Sequence, residues 1–149
     1  MKLRNITESD VDLLQSLANE CGSLDIHTKY TYWVIATLFN EASYILEDEH
    51  GPIGFITSIL KDKTCFIWQL GVLTEHRKKG YSHTLLNALY NYAISANVEN
   101  IEVTIHPDNK TCLQAVHNFF KNKNLELKYA SKIETGDIGE YVYRVCLND

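Results

Sequence analysis

Hydrophobic residues recur at helical spacing in the first part of the chain. Thr7 to Asp10 resembles a capping box, and a run of apolar side chains at three- and four-residue intervals follows it. These side chains are Val11, Leu14, Leu17 and Ala18. The spacing predicts a first helix that runs to Cys21 and Gly22. A second apolar stretch, Tyr30–Phe39, predicts a second helix.

The pattern changes to that of strands after Ala42. Ala42–Glu47 and Ile53–Leu60 are apolar runs separated by a charged turn, which predicts a hairpin. A short turn at Lys61–Lys63 leads into Thr64–Leu73, a nearly continuous apolar run rich in aromatic and β-branched residues. This run predicts a central strand.

Helices and strands alternate along the rest of the chain. Gly80 opens a segment whose apolar residues share one helical face to about Asn97, and Ile101–Ile105 predicts a further strand. Asn109 can cap another helix. The apolar side of that helix holds Cys112, Ala115, Val116, Phe119 and Phe120. Two late strands are expected, Glu126–Ser131 and Glu140–Cys146. The whole pattern predicts one α+β unit.

Composition restricts the class of partner. The chain has 149 residues, of which 45% are hydrophobic, so we expect a single domain over residues 1–149 with its own core. The net charge of -5 disfavours binding to nucleic acid, which requires Lys and Arg concentrated on one face. No apolar run is long enough for a membrane span, so we expect no membrane partner.

The cysteines and the first residues bear on metal binding and location. Cys21, Cys65, Cys112 and Cys146 form no C-x-x-C pair and have no His partner at zinc-finger spacing. We therefore expect buried thiols and no metal. Met1–Asn5 leads into polar residues without the apolar stretch of a secretory signal, so we expect a cytoplasmic protein.

The strongest local signal is a basic segment before the third predicted helix. It consists of Arg77, Lys78, Lys79, Gly80, Tyr81 and Ser82. Backbone N–H groups at a helix start have no partner within the helix, and with the helix dipole they form a site for a diphosphate. Gly80 would let the backbone approach the anion, and the basic side chains would add positive charge. The alternative is a basic loop that only starts a helix.

This segment resembles the Q/R-x-x-G-x-G/A motif of the GNAT N-acetyltransferases, with Ser82 in the last small position. The resemblance implies the GNAT fold, a mixed and mostly antiparallel twisted sheet of six to seven strands, flanked by about four helices and splayed at a central strand. It also implies that the segment holds the pyrophosphate of acetyl-CoA, the cosubstrate. Ser82 is small and has a free N–H, so we expect this cradle to survive.

The same resemblance assigns roles on the central strand. There the pantetheine arm would pair with Leu70, Gly71 and Val72, and the N–H around Leu70 would stabilise the oxyanion. Gly71 fits a bulge or a close backbone approach. Asn109 would contact pantetheine, whereas Val116 stands where many members have a Tyr that protonates the thiolate. A packed core strand and a helix cap are the structural alternatives.

Several further segments resemble the diaminobutyrate acetyltransferases of ectoine biosynthesis. They are Leu24–Tyr32, Gly54–Ile56, Phe66–Gln69, Thr104–Asn109 and Glu140–Val145. Those enzymes lack the Tyr acid as well. The resemblance implies an acceptor pocket that contains Asp25, Tyr30, Trp68 and Glu140, with His27 and Asp137 near the same site. His27 and Thr28 stand where that family has Asn and Ser, so the substrate of this chain can differ.

The expected reaction requires a base. An alkyl ammonium group with a pKa near 10 must lose a proton before it attacks a thioester, which costs roughly 4 kcal/mol at neutral pH. Glu140 or Asp25 can accept that proton directly or through water, and we favour Glu140. Carboxylates and the face of Trp68 also suit an ammonium group.

Other functions remain open at this point. One is a GNAT enzyme for a different acceptor, such as a polyamine, an amino acid, an aminoglycoside or a protein N-terminus. Others are a non-catalytic module that senses acyl-CoA, or an interaction protein that retains only the fold. The resemblance also implies a homodimer, since relatives often pair.

Overall fold

The computed structural model describes residues 1–148, so Asp149, the end of the predicted domain, lies outside the described residues. The described part contains seven strands and four α-helices. The strands are β1 (Lys2–Asn5), β2 (Tyr44–Asp48), β3 (Gly51–Lys61), β4 (Thr64–Val72), β5 (Asn100–Ile105), β6 (Lys128–Lys132) and β7 (Tyr141–Cys146). The helices are α1 (Val11–Cys21), α2 (Lys29–Leu38), α3 (Tyr81–Ser95) and α4 (Lys110–Lys121).

All seven strands join one sheet in the order β1-β2-β3-β4-β5-β7-β6. The pairing of β4 with β5 is parallel, and every other described pairing is antiparallel. The chain needs α3 to cross from the end of β4 to the start of β5, because a parallel pair cannot be joined by a tight turn. The α+β class and the mixed, mostly antiparallel sheet agree with the prediction.

Alternating side chains of the central strands supply two hydrophobic cores, one on each face of the sheet. Ile45 and Phe55 belong to the core that contains α1 and α2, whereas their neighbours Leu46 and Ile56 belong to the core that contains α3 and α4. This two-residue period is that of strands covered by helices on both faces. The helices therefore cover both faces of the sheet and leave the ends of the strands uncovered.

Strands β4 and β5 part in the middle of the sheet. Their described pairing runs only over Thr64–Ile67 with Asn100–Val103, although β4 continues to Val72 and β5 to Ile105. The parting coincides with a β-bulge, because Thr57 pairs with Gln69 and Ser58 with Ile67, which leaves Trp68 as the extra residue of β4. The predicted splay is thus present.

The first strand was not predicted, because β1 is a short edge strand with mostly exposed and polar residues. It is held by charge as well as by backbone pairing with β2. Arg4 on β1 donates to both carboxylate oxygens of Asp10, at 2.8 and 2.9 Å, and its Nε also donates to Glu47 on β2. The Asp10 carboxylate in turn accepts from the Thr7 N–H at 2.8 Å, in the predicted capping box before α1.

Replacing Asp10 by Asn should lower the free energy of unfolding at pH 7 by about 1–3 kcal/mol, because Arg4 then loses a charged partner in a nearly buried site. The hydrogen bond from Arg4 lowers the pKa of Asp10 below its ordinary value of 3.8. The stabilisation is therefore complete above pH 3.8 and is lost as the pH falls below it. Urea unfolding at several pH values measures both effects.

Asp12→Asn is the matched control, because Asp12 lies in the first turn of α1, two residues after Asp10, but is exposed in its ion pair with Lys29. We expect almost no change of stability for this variant. Equal losses for the two variants would contradict the role given to Asp10.

Candidate functional site

The parting of β4 and β5 leaves one edge of β4 free over Trp68–Val72. Peptide groups alternate in direction along a strand, and the N–H of Gln69 and of Leu73 point towards β3, where they donate to Thr57 Oγ1 and to the Ile53 carbonyl. The N–H groups of Leu70 and Val72 consequently face the gap. This edge can pair with an extended ligand arm and can donate to an oxygen beside it.

The predicted anion site lies where the chain leaves β4 and enters α3. Lys78 and Gly80 have positive φ angles of 63° and 82°, and Gly80 occupies the N-cap position of α3. A glycine cap has no side-chain oxygen to accept from the first helical N–H groups. The Thr84 N–H already donates to the Gly80 carbonyl, so the amides of Tyr81 and Ser82 lie before the first helical bond. These amides and the exposed Lys78 and Lys79 suit a diphosphate.

Arg77 has a different environment from the two lysines. Its Nε donates to the Val72 carbonyl at 3.1 Å, and its terminal nitrogen donates to the Cys21 carbonyl at 2.5 Å. The guanidinium group therefore joins the end of β4 to the end of α1. Its charge remains beside the loop, but its described hydrogen bonds go to protein carbonyls.

Gly71 is required by close packing. An added Cβ would lie 2.8 Å from Cys21 Sγ, 2.8 Å from Leu24 Cδ1 and 3.2 Å from Phe55 Cε1. Of the two alternatives given for Gly71, a bulge or a close approach, the structure has the close approach, and the bulge lies at Trp68.

Residues 22–28, the segment between α1 and α2, lie alongside the free part of β4. We call them the acceptor segment. The His27 ring lies 4.4 Å from the Trp68 ring, measured between centroids. The Gln69 side-chain amide donates to the Asp25 carbonyl at 2.7 Å, and the Gln15 amide donates to the His27 carbonyl at 2.9 Å. The fold thus brings Asp25, His27 and Trp68 together.

Glu140 lies at the same end of the gap, directly before β7. Ile105 on β5 pairs with Tyr141 on the antiparallel strand β7. His106, which follows Ile105, and Glu140, which precedes Tyr141, therefore lie opposite each other. Burial raises the pKa of Glu140 above its ordinary value of 4.5, the negative charge of Asp25 raises it further, and His106 lowers it. Two predicted residues, Asp25 and Glu140, therefore share one electrostatic environment.

Over residues 1–148, no hydrogen bond, ion pair or ring contact joins Tyr30 or Asp137 to this group. The Tyr30 side chain is 74% exposed on α2 and stacks on Trp33 at 6.2 Å. Asp137 is exposed in the 3₁₀ turn Thr135–Asp137, and its φ angle is 56°. The tyrosine ring that lies beside Trp68 is that of Tyr32, which is fully buried at a centroid distance of 5.7 Å.

Asn109 and Val116 both bear on the question of a thiolate acid. The Asn109 Oδ1 accepts from the Cys112 N–H at 3.2 Å, so this side chain caps α4 and leaves its amide nitrogen for other partners. Val116 is fully buried in the core and carries no proton to donate. Burial, and then Glu140, raise the pKa of the Cys112 thiol, which places that thiol near Glu140.

Three residues of the site were missed in the sequence, namely Tyr32, Gln69 and His106. Gln69 had a visible signal, since it is a polar residue inside an apolar central strand and must find partners when it is buried. Tyr32 had none beyond its place in an apolar helix, and His106 became relevant only through the pairing of β5 with β7.

Metal ligands and membrane-spanning helices are two other features that would indicate a function. Over residues 1–148, His, Cys, Asp and Glu side chains form no group of three or more that could hold a metal ion. Among the helices of this described part, none combines the length and the apolar character needed to cross a membrane.

Comparison with known proteins decides the family. The model of the acetyltransferase (GNAT) family matches residues 11–121, which is most of the chain. The chain belongs to the GNAT acetyltransferase family. The family and the fold that the basic segment implied are confirmed.

Curated relatives confirm the narrower resemblance. The chain is 33% identical over 106 residues to the L-2,4-diaminobutyric acid acetyltransferase of Marinococcus halophilus, an alignment that covers 69% of this chain and 60% of that protein. It is 28% identical over 141 residues to the enzyme of the same name from Chromohalobacter salexigens, covering 92% of this chain and 73% of the relative. The chain thus spans 60% of the first relative's length.

A solved structure supports the fold. The diaminobutyrate acetyltransferase of Paenibacillus lautus, in complex with L-2,4-diaminobutyric acid and coenzyme A, superposes with a TM-score of 0.89. The match covers 99% of this chain and 96% of that one at 24% sequence identity. Seven strands, four helices and the splay are therefore those of the GNAT fold.

Replacing Gly80 by Ala in this GNAT chain should weaken acetyl-CoA binding about tenfold. No atom lies within 4 Å of the added Cβ, so the substitution acts through the positive φ angle of the helix cap and displaces the amides of Tyr81 and Ser82. Isothermal titration calorimetry measures the dissociation constant. Gly51→Ala is the control, because Gly51 also has a positive φ and an open Cβ position but lies at the start of β3. Equal affinities for wild type and Gly80→Ala would contradict the anion site.

Proposed function

We propose that the chain transfers the acetyl group of acetyl-CoA to a primary amine of L-2,4-diaminobutyrate or a similar diamino acid, by direct attack in a ternary complex. The observation that carries the proposal is the shared environment of Asp25 and Glu140 beside the free edge of β4. Two carboxylates bind a cationic amine, and the edge and the α3 N-terminus bind an anionic thioester donor. The names of the curated relatives support the acceptor.

The donor would extend from the loop before α3 along the gap. The amides of Tyr81 and Ser82, with Lys78 and Lys79, would hold the diphosphate. The pantetheine arm would pair with the free edge of β4, and Asn109 would contact it from the start of α4. The Leu70 N–H, which faces the gap, would donate to the thioester oxygen as its negative charge develops.

The acceptor would bind between the acceptor segment and the start of β7. The carboxylates of Asp25 and Glu140 would hold ammonium groups, and the ring of Trp68 would offer its face to one of them. His27 lies against Trp68 and would set the width of this pocket. Tyr30 and Asp137 would have to approach from their exposed positions to contribute.

Glu140 would be the base. Its raised pKa reduces the gap to the pKa of an alkyl ammonium near 10, which makes it a stronger base than an ordinary glutamate. One proton of the ammonium group would pass to Glu140, and the nitrogen would form the new bond to the acetyl carbon. The carbon–sulfur bond would break as the nitrogen loses its second proton to solvent. Val116 supplies no acid, so the coenzyme thiolate would leave as such or take a proton from solvent.

A different cationic amine is the second candidate. His27 stands where the related enzymes have Asn, and its ring covers part of Trp68. A polyamine or another diamino acid is therefore a reasonable acceptor, whereas the negative charge of the pocket disfavours anionic ones.

The proposal also includes a location and an oligomeric state. The chain would act in the cytoplasm, in keeping with its acetyl-CoA donor, and would form a homodimer. An aromatic surface on the outer strands, in which Tyr129 lies 58% exposed beside Tyr141 and Tyr143, is available to a second copy. Sedimentation at several concentrations tests the dimer.

A panel of amines should give the fastest release of coenzyme A with L-2,4-diaminobutyrate or a close diamino acid. Such an acceptor carries two ammonium groups, which gives each of the two carboxylates a partner. Thiol release measures the rate, and the product mass identifies the acetylated nitrogen. Greater activity with spermidine would favour the second candidate. Acetyl-CoA binding without turnover of any amine would favour a sensor.

Glu140→Gln should lower kcat/KM for the amine by about 10²–10⁴-fold, since it removes the base while keeping the shape of the side chain. Because the base must be ionised, activity should fall on acidification, with a limb above pH 4.5 that the variant lacks. The control is Glu134→Gln, which should retain wild-type activity. Glu134 is an exposed glutamate directly before the turn Thr135–Asp137, and Glu140 follows that turn. An unchanged limb in Glu140→Gln would assign the base elsewhere, first to Asp25.

A further inference from the structure

A buried polar pair lies beneath the acceptor segment. The pair consists of Gln69 on β4, which is 6% exposed, and Tyr32 on α2, which is fully buried. We propose that Gln69 and Tyr32 are positioning residues for amine recognition, because they fix the acceptor segment so that Asp25 reaches the amine. The proposal rests on the function given above and assigns it two residues that do not themselves touch the acceptor.

The hydrogen bonds of the pair give each polar atom one task. Tyr32 Oη donates to Gln69 Oε1 at 3.1 Å, and Gln69 Nε2 donates to the Asp25 carbonyl at 2.7 Å. The Asp25 carbonyl can only accept, so the amide nitrogen must face it, and the amide oxygen then accepts from the phenol, which holds the amide in this orientation. The two hydrogen bonds in series therefore connect the buried Tyr32 to the acceptor segment.

The middle of the acceptor segment is fixed by the packing of Leu24 against the core beneath α1 and α2 and by the hydrogen bond from Gln69. Most of its residues are exposed, namely Gly22, Ser23, Asp25, Ile26 and Thr28. Its start is held by Arg77 at the Cys21 carbonyl, and its end by Gln15 at the His27 carbonyl. The bond from Gln69 is the described side-chain hydrogen bond to Asp25. Its loss should therefore increase the mobility of the acceptor segment more than it lowers the stability of the fold.

Gln69 also has a special place on the donor strand. It lies between the bulge residue Trp68 and Leu70, whose N–H faces the gap. Its own backbone is tied to β3, because its N–H donates to Thr57 Oγ1 at 3.1 Å. One residue thus sets the distance between the Asp25 carboxylate and the edge proposed for the thioester. Small displacements of reacting groups reduce rates strongly, by about 10²-fold for 1 Å.

The test uses Gln69→Met, which keeps the length of the side chain and removes both hydrogen bonds. We expect the KM for the amine to rise about tenfold, while the KM and the dissociation constant of acetyl-CoA stay within twofold of wild type. Tyr32→Phe removes only the supporting bond and should give a smaller rise of the same kind. The double variant should be no worse than Gln69→Met alone, because both substitutions break one chain of bonds.

Ser58→Ala is the matched control. Ser58 is also buried in the sheet, where its Oγ donates to the Ala42 carbonyl at 2.5 Å, far along the chain from the acceptor segment. This variant should lose stability and keep the wild-type KM for the amine. A rise of the amine KM in Ser58→Ala as large as in Gln69→Met would overturn the proposal, since general loosening would then explain both.

A second measurement does not depend on turnover. The ¹H–¹⁵N heteronuclear NOE of residues 23–28 should fall in Gln69→Met and stay unchanged along α3. If no amine is acetylated, the proposed function fails, and the NOE still decides whether Gln69 positions the segment. An unchanged NOE together with an unchanged amine KM would overturn the positioning role, as would an equal rise of the KM for the amine and for acetyl-CoA.

Discussion

The structure depends on the parting of two parallel strands. Strands β4 and β5 share only a short described register, and the bulge at Trp68 turns β4 away before its end. Peptide groups that would pair in a continuous sheet therefore face a gap and require another partner. In a GNAT chain this edge suits the extended arm of the donor, and the helix start after it suits its diphosphate.

Charge is separated along this gap in a chain whose net charge is negative. Lys78 and Lys79 lie at the α3 end, where the donor diphosphate would bind, and Asp25 and Glu140 lie near the acceptor segment and the start of β7. Each end thus complements one substrate. The raised pKa of Glu140 has the same origin, because burial and the charge of Asp25 both disfavour its ionised form.

Periodicity and local chemistry in the sequence were enough to predict most of the elements. The helices α1 to α4, the strands β2 to β7 and the cap at Gly80 have clear patterns. Strand β1 has none, because it is a short polar edge. The hydrogen bonds of Arg77 to the ends of α1 and β4 and the place of the bulge depend on tertiary packing. The choice of Tyr32 rather than Tyr30 beside Trp68 depends on which face of α2 is buried.

The most direct test of this account is a titration of the ¹⁵N-labelled protein with coenzyme A, observed by NMR. The account predicts that the amide signals of Leu70, Val72 and Gly80–Ser82 shift most, since these groups line the free edge of β4 and the start of α3. Shifts confined to other parts of the chain, or no saturable shift at all, would contradict it.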